Sequence, residues 1–533
     1  MSLITKIILA GAIVISPSYM TAQSNSSRQM TQAVYDAYER MLKDDPNDYE
    51  TWFRRANEYY RHNEYMRALN DVDRALELAP EKEKDLRVQA YMLRANIYEQ
   101  TGRHEQALQD LNSAIALEPT SYVAVYQRAN CLYELGQYSE AKAAYQRLQR
   151  LNSRSAEALI GLARVAVKEN NLGLANEYLE TAVNNDPGNS TLYVRRASVR
   201  RLMGNDQAAV DDLILAIATD SRNVRATDLL VDMARSNYPE VNLGLTRAIQ
   251  QAPNVGMYLY MRAFIAQAHY RYGAALADYR TILDKNLYNY HGIYASIAEC
   301  QFALGQYDSA LTSIDQALSM DRNSAQHYIV RSRILRALGQ YEEAKQAAAS
   351  ALAIKSDDAE AMQQMALCYI SLKNYREAAN LVGEAMMNGE SAPYNYLLRG
   401  WILTQHLNEP VAGKGFYDQL ASLMDYDIYD VKSLKGFGLL YSGHKEEAVR
   451  WMDDILTHNA DPDGYLNYIG ACLYSAADLN DRALECVNKS LSNGYANKYD
   501  WEKNDDACIN VSAIRYDLRF IQLIEKYSSI FQN

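Results

Sequence analysis

Residues Arg55 to Pro80 read RANEYYRHNEYMRALNDVDRALELAP, and Arg94 to Pro119 return as RANIYEQTGRHEQALQDLNSAIALEP. A chain that repeats itself at a fixed period stacks copies of one small unit, so the period decides the architecture before any single propensity does. With slot 1 at Tyr49, slot 20 holds Ala68, Ala107, Ala141, Ala175, Ala209, Val241, Ala275, Ala310, Ala344, Ala378, Ala412, Ala448 and Ala483. The usual spacing is 34 residues. Slot 8 is equally small, with Ala56, Ala95, Ala129, Ala163, Ala197, Ala263, Ala298, Ser332, Ala366, Gly400, Gly436 and Gly470. Small side chains recur where two helices must approach closely.

Between these slots, aromatic and aliphatic residues return at helical spacing, as Trp52 and Tyr59 do in the first unit and Tyr91 and Tyr98 in the second. Slot 15 is often glycine (Gly102, Gly136, Gly204, Gly305, Gly339, Gly443), which admits the left-handed residue that ends a helix. Pro80, Pro119, Pro187 and Pro253 at slot 32 then stop a second helix, because proline has no N–H to continue it. Each unit is expected to be a helical hairpin.

These slots, together with the LGQY of Leu135–Tyr138 and Leu304–Tyr307, resemble the tetratricopeptide repeat family over about Tyr49 to Asn493. The resemblance implies an all-α, right-handed α-solenoid of twelve or thirteen hairpins with terminal capping helices. The chain departs from the family at slot 7, where leucine is usual and arginine is frequent here. Arg55, Arg94, Arg196 and Arg262 are each followed sixteen residues later by Asp71, Asp110, Asp212 and Asp278 at slot 23. Four partly buried ion pairs within repeats are expected from that spacing, with the bidentate geometry that suits arginine and carboxylate.

Two units break the pattern. The sixth, Arg225 to Pro253, is two residues short and carries Pro239 at its turn, and the eleventh has Pro410, Gly413 and Gly415 at or inside its second helix. Both are candidate bends. The expected organisation is a signal peptide over 1–22, a capping half repeat over 23–48, repeats one to six over 49–253, repeats seven to thirteen over 254–493, and a closing module over 494–533. The signal peptide is read from Lys6, the apolar run Ile7–Ile15 and Pro17. That run is far shorter than the roughly 20 residues that span a bilayer, and no later segment is apolar for long enough. Export to a bacterial envelope, most readily the periplasm, is the expected destination, with secretion or surface association as the alternatives.

The formal net charge of −12, from 54 Lys and Arg against 66 Asp and Glu, disfavours nucleic acid as a partner. Four of the six cysteines, Cys131, Cys300, Cys368 and Cys472, fall in slot 10, where a small buried residue belongs; only Cys472, Cys486 and Cys508 could form a disulfide set. The histidines are scattered, and no HExxH, P-loop or GxSxG is present. No enzyme, metal or cofactor is expected.

The resemblance implies that slots 2, 5, 9, 12 and 13 of each first helix face a concave groove. In the first three units these slots include Phe53, Asn57, Tyr60, Arg61, Asn96, Tyr126, Asn130 and Tyr133. Asn57, Asn96 and Asn130 occupy slot 9 in succession. An amide carries both donor and acceptor, so such a ladder could hold an extended peptide whatever its sequence, with the aromatic residues beside it. The carboxylate clamp of chaperone-binding relatives is absent, since its places hold Phe53, Leu93, Val123 and Gln127. The expected function is a scaffold that binds a protein or peptide partner in this groove. The alternative is a structural subunit of an envelope or secretion complex that uses its convex face or ends. Oligomeric state is left open.

Overall fold

The structure is a computed structural model and describes residues 33–287, 292–388, 393–423, 429–504 and 508–531. The leader expected over 1–22 lies outside the described residues. No strand occurs among the described residues, and helices follow one another in hairpins, from Tyr49–Arg61 with Tyr65–Leu78 to Tyr465–Ala476 with Asn480–Ser492. The fold is an all-α solenoid of stacked hairpins. First helices pack on their own second helices, which pack in turn on the first helix of the next hairpin, and in several places, such as Tyr49–Arg61 with Lys84–Gln100, successive first helices touch as well. No helix among the described residues is long and apolar enough to cross a membrane.

The small slots carry the contacts. At slot 8 Ala56, Ala129, Ala263, Ala298, Ser332 and Ala366 are wholly buried, as are the slot-20 alanines Ala68, Ala107, Ala141, Ala175 and Ala209. The turn between helices uses one left-handed residue at slot 15. Glycine fills it at Gly102, Gly136, Gly204, Gly305, Gly339 and Gly443, and Asn63, Asn170, Tyr270, Lys373 and Asp478 adopt the same conformation without glycine's freedom. The slot's geometry is thus kept where its usual residue is not.

Both expected bends are resolved differently from the sequence reading. Val224–Gln251 is one helical run broken at Asn237 (φ −150°, ψ 68°), whose side chain accepts from the backbone N–H of Glu240 and so restarts the second helix. Two missing residues have removed the turn, and Pro239 sits in the first turn of the restarted segment, where its absent N–H costs nothing. In the eleventh hairpin, Pro410 is the first residue of the helix Pro410–Ser422 and breaks nothing. Ala412 is exposed, and Gly413 takes the buried slot 20 instead: a Cβ there would lie 2.4 Å from Thr404 Cγ2 and 2.8 Å from Gly400 O. Asn408, left-handed and five residues earlier, keeps the same register.

The described residues form two compact units, one ending at Asp232 and one beginning at Met233, so the division falls inside the sixth repeat. In the N-terminal unit the helix 33–44 covers the first hairpin through Tyr35, whose ring lies 4.5 Å from that of Tyr59. In the C-terminal unit Leu518–Lys526 packs on Asn480–Ser492 through Phe520, with Leu523 and Ile524 beside it, while Leu518 is exposed. All six cysteines are free and buried, and burial pushes the Cys131 thiol up to about 11 and those of Cys486 and Cys508 up to about 12. These thiols are protonated packing groups.

Candidate functional site

Four arginines of slot 7 clasp their aspartates side-on. In the pairs Arg55–Asp71, Arg94–Asp110, Arg196–Asp212 and Arg262–Asp278, Nε and Nη2 each donate to one carboxylate oxygen over 2.6–3.0 Å. The arginines also reach backward, which sequence spacing within one unit does not reveal. Arg94 Nη1 donates to Asp73 and Arg262 Nη1 to Thr246, both at slot 25 of the preceding hairpin. Arg128 and Arg331, which have no aspartate at slot 23, donate to Asn112 and Asp315 at that same slot 25. Slot 7 therefore ties adjacent hairpins together, and this polar row is structural.

The first helices of the first two hairpins border a cleft of about 540 Å³. Phe53, Asn57, Tyr60 and Arg61 line it from Tyr49–Arg61, Gln89, Met92 and Asn96 from Lys84–Gln100, and Tyr38 from 33–44. Asn57 Nδ2 donates to Phe53 O (3.2 Å), which leaves its Oδ1 without a partner among the described residues. Asn96 Oδ1 accepts from Gln127 Nε2 (2.7 Å), which leaves its Nδ2 likewise open. One free acceptor and one free donor thus stand beside half-buried aromatic rings in one cleft.

The third member of the expected ladder does something else. Asn130 Oδ1 accepts from the hydroxyl of Tyr145 (2.6 Å), a residue with no exposed surface, so this amide satisfies a buried phenol. The sequence signal for it lies one hairpin on, at Gly161, where a Cβ would meet the Tyr145 ring at 2.2 Å. Tyr133 is covered by the Arg164 guanidinium, 4.0 Å above its ring, and Tyr126 packs half-buried on the same hairpin core. Asn130, Tyr126 and Tyr133 are therefore separate from the cleft formed by the first two hairpins.

In the C-terminal unit the first helices are already occupied. The closing segment runs back over them: the Tyr499 ring lies tilted 4.8 Å from that of Phe302, Tyr495 lies 4.8 Å from Tyr270, and Lys503 Nζ donates to Ala337 O. Arg271 Nη2 donates to Asn493 O, and Trp501 is fully buried. Asp500 is interior, with Tyr495 and Asn497 donating to it, and burial raises its carboxyl to about 6. The module is more than an end cap, because it fills the face that the N-terminal unit leaves open.

No group of His, Cys, Asp and Glu that could hold a metal occurs among the described residues. Hairpins of one period, small residues at two fixed slots and a cleft on the first helices define an α-helical repeat protein. Family comparison agrees. One tetratricopeptide repeat model matches residues 53–122 and 126–221 and another matches 98–153, while the model for anaphase-promoting complex, cyclosome, subunit 3 matches 305–385. The chain is a tetratricopeptide repeat protein.

No curated protein sequence matches the chain. Solved structures do. YrrB, described as a tetratricopeptide repeat protein with an unusual peptide-binding site, is 22% identical over 36% of this chain and 97% of its own, with a TM-score of 0.29. Yeast Tom70 is 13% identical over 78% and 97%, with a TM-score of 0.36. PilW, a type IV pilus biogenesis factor, is 20% identical over 40% and 96%, with a TM-score of 0.33.

Proposed function

We propose that this protein is a non-catalytic scaffold that captures a peptide segment of a partner protein in the cleft between its first two hairpins. The observation that carries this reading is the pairing of one open amide acceptor, Asn57 Oδ1, with one open donor, Asn96 Nδ2, beside Phe53 and Tyr60 in the same cleft. An extended backbone offers the complementary N–H and C=O, so the two amides hold main chain while the rings bury side chains. Occupation of the C-terminal unit's first helices by Tyr495–Trp501 leaves the N-terminal unit as the open face. A protein partner rather than nucleic acid fits a chain of net charge −12. The envelope destination rests on the leader-like residues 1–22.

The test is affinity capture from an envelope extract with wild type and an Asn57→Ala/Asn96→Ala variant of equal helicity. Asn130 is left intact because it holds Tyr145. A protein held by wild type and released by the variant supports the cleft. One held equally by both rejects it in favour of a structural subunit that assembles through other surfaces.

A further inference from the structure

An aromatic residue stands at both slot 12 and slot 17 in three hairpins: Tyr60 and Tyr65 in the first, Tyr133 and Tyr138 in the third, Phe302 and Tyr307 in the eighth. Slot 12 is the last residue but one of the first helix and slot 17 opens the second, so the two rings meet at the turn end of the hairpin, with centroids 5.9, 5.4 and 5.7 Å apart. An aromatic face is electron-rich and attracts a cation laid over it. The chain fills two of the three pairs with cations of its own. Arg164 lies 4.0 Å over Tyr133 while its Nη2 donates to Glu134 (2.8 Å), so one guanidinium is shared between a ring and a carboxylate. Lys503 Nζ lies 4.7 Å from the centroid of Tyr307, with the Tyr499 ring beside it on Phe302.

The pair of the first hairpin is open. Tyr60 and Tyr65 are half-buried, and no cation lies over either ring among the described residues. A carboxylate is nonetheless in place. Glu99, at slot 12 of the second hairpin and three residues beyond Asn96 on the same face of Lys84–Gln100, lies close enough to Tyr60 to interact with its hydroxyl electrostatically. It is half-buried and has no ion pair or hydrogen bond among the described residues. Burial raises its carboxyl above the usual range, with His104 opposing and Glu134, itself held by Arg164, adding to the rise. The two arginines of the adjoining cleft are committed elsewhere, Arg61 to Glu58 (3.7 Å) and Arg54 to Glu50 (3.1 Å). A half-buried carboxylate without a counter-ion, beside two uncovered rings, costs the free protein and is compensated when a cation enters.

We propose that Tyr60, Tyr65 and Glu99 form a receptor for a lysine or arginine side chain of the bound peptide, seated over the rings with its charge on the Glu99 carboxylate, as Arg164 is seated between Tyr133 and Glu134 two hairpins on. This rests on the reading of the N-terminal cleft as a peptide site, because Tyr60 lines that cleft with Asn57 and Asn96, and it adds which side chain the segment carries. A bare metal ion is a poor occupant, since a single carboxylate supplies too few oxygen ligands.

The probes are three fluorescein-labelled octapeptides that alternate Ser and Leu and carry one central Lys, Gln or Glu, titrated against the full chain by fluorescence anisotropy. The Lys peptide should bind about tenfold more tightly than the Gln peptide, with the Glu peptide weakest. Glu99→Gln and Tyr60→Leu should each move the Lys peptide most of the way to the Gln peptide, whereas Tyr60→Phe, which keeps the ring, should retain its binding. Glu118→Gln, at an exposed carboxylate elsewhere, should change nothing, which separates the receptor from general attraction to an acidic chain. Equal affinity for the Lys and Gln peptides, or a Lys preference that survives both Glu99→Gln and Tyr60→Leu, overturns the assignment. Equal binding of all three peptides that is lost in the Asn57→Ala/Asn96→Ala variant keeps the cleft reading while rejecting the cation receptor. Failure of all three rejects the two together.

Discussion

Asp212 is almost wholly buried and carries two arginines, Arg196 from its own hairpin and Arg200 at 2.9 Å. A buried charge whose partner is deleted keeps its desolvation cost, whereas removing both members removes that cost as well. Asp212→Ala should therefore destabilise the fold by about 3–5 kcal/mol, and Asp212→Ala combined with Arg196→Ala by clearly less than the sum of the two singles. Urea unfolding of the three variants measures this. Simple additivity would show that the pair is not coupled. The sixteen-residue spacing made these pairs legible in the sequence. The backward bonds from slot 7 to Asp73, Asn112, Thr246 and Asp315 were not legible, because they depend on how one hairpin sits on the next.

At the scale of the element, the two glycines of Pro410–Ser422 look alike in sequence and differ in surroundings. Gly413 is pressed against Thr404 and the Gly400 carbonyl, while a Cβ on Gly415 would meet nothing within 4 Å. Gly413→Ala should cost about 1–3 kcal/mol through overpacking, and Gly415→Ala should stabilise the helix by about 0.5–1 kcal/mol. Thermal unfolding of the two variants distinguishes them, and equal shifts would contradict the placement of Gly413 at the buried slot. The hairpin period and its turn residues were readable as pattern. The one-residue register change from Ala412 to Gly413 was not, since both are small and only the facing helix selects between them. The turnless sixth hairpin was visible as a missing pair of residues and Pro239, but the break itself falls at Asn237.

For the molecule as a whole, the C-terminal segment is the largest departure from what a linear reading supplies. Asp500 is buried with it, and its carboxyl is raised from its usual value near 4 to about 6, by burial first, with Tyr495 and Arg333 partly opposing. The folded state thus holds this proton more tightly than the unfolded chain does, so its contribution to stability is present below about pH 4 and is lost as pH rises through about 6. Full loss amounts to about 3 kcal/mol. Asp500→Asn should therefore gain on wild type across that window and level off above it, as denaturant titrations at pH 4 and pH 7 would record. An unchanged difference between the two proteins would remove Asp500 as the source. The sequence by itself determined the repeat, the hairpin, the small contact slots and the arginine–aspartate pairs, because each follows from spacing within a single unit. Only tertiary structure decided that Asn130 serves Tyr145, that Asn57 and Asn96 keep open groups in one cleft, and that Tyr495–Trp501 covers the first helices of the C-terminal unit. The Asn130–Tyr145 bond closes within one hairpin, at a ring that Gly161 of the next hairpin admits; the others are contacts between hairpins or across many repeats, and stacking geometry sets them where local periodicity carries no information.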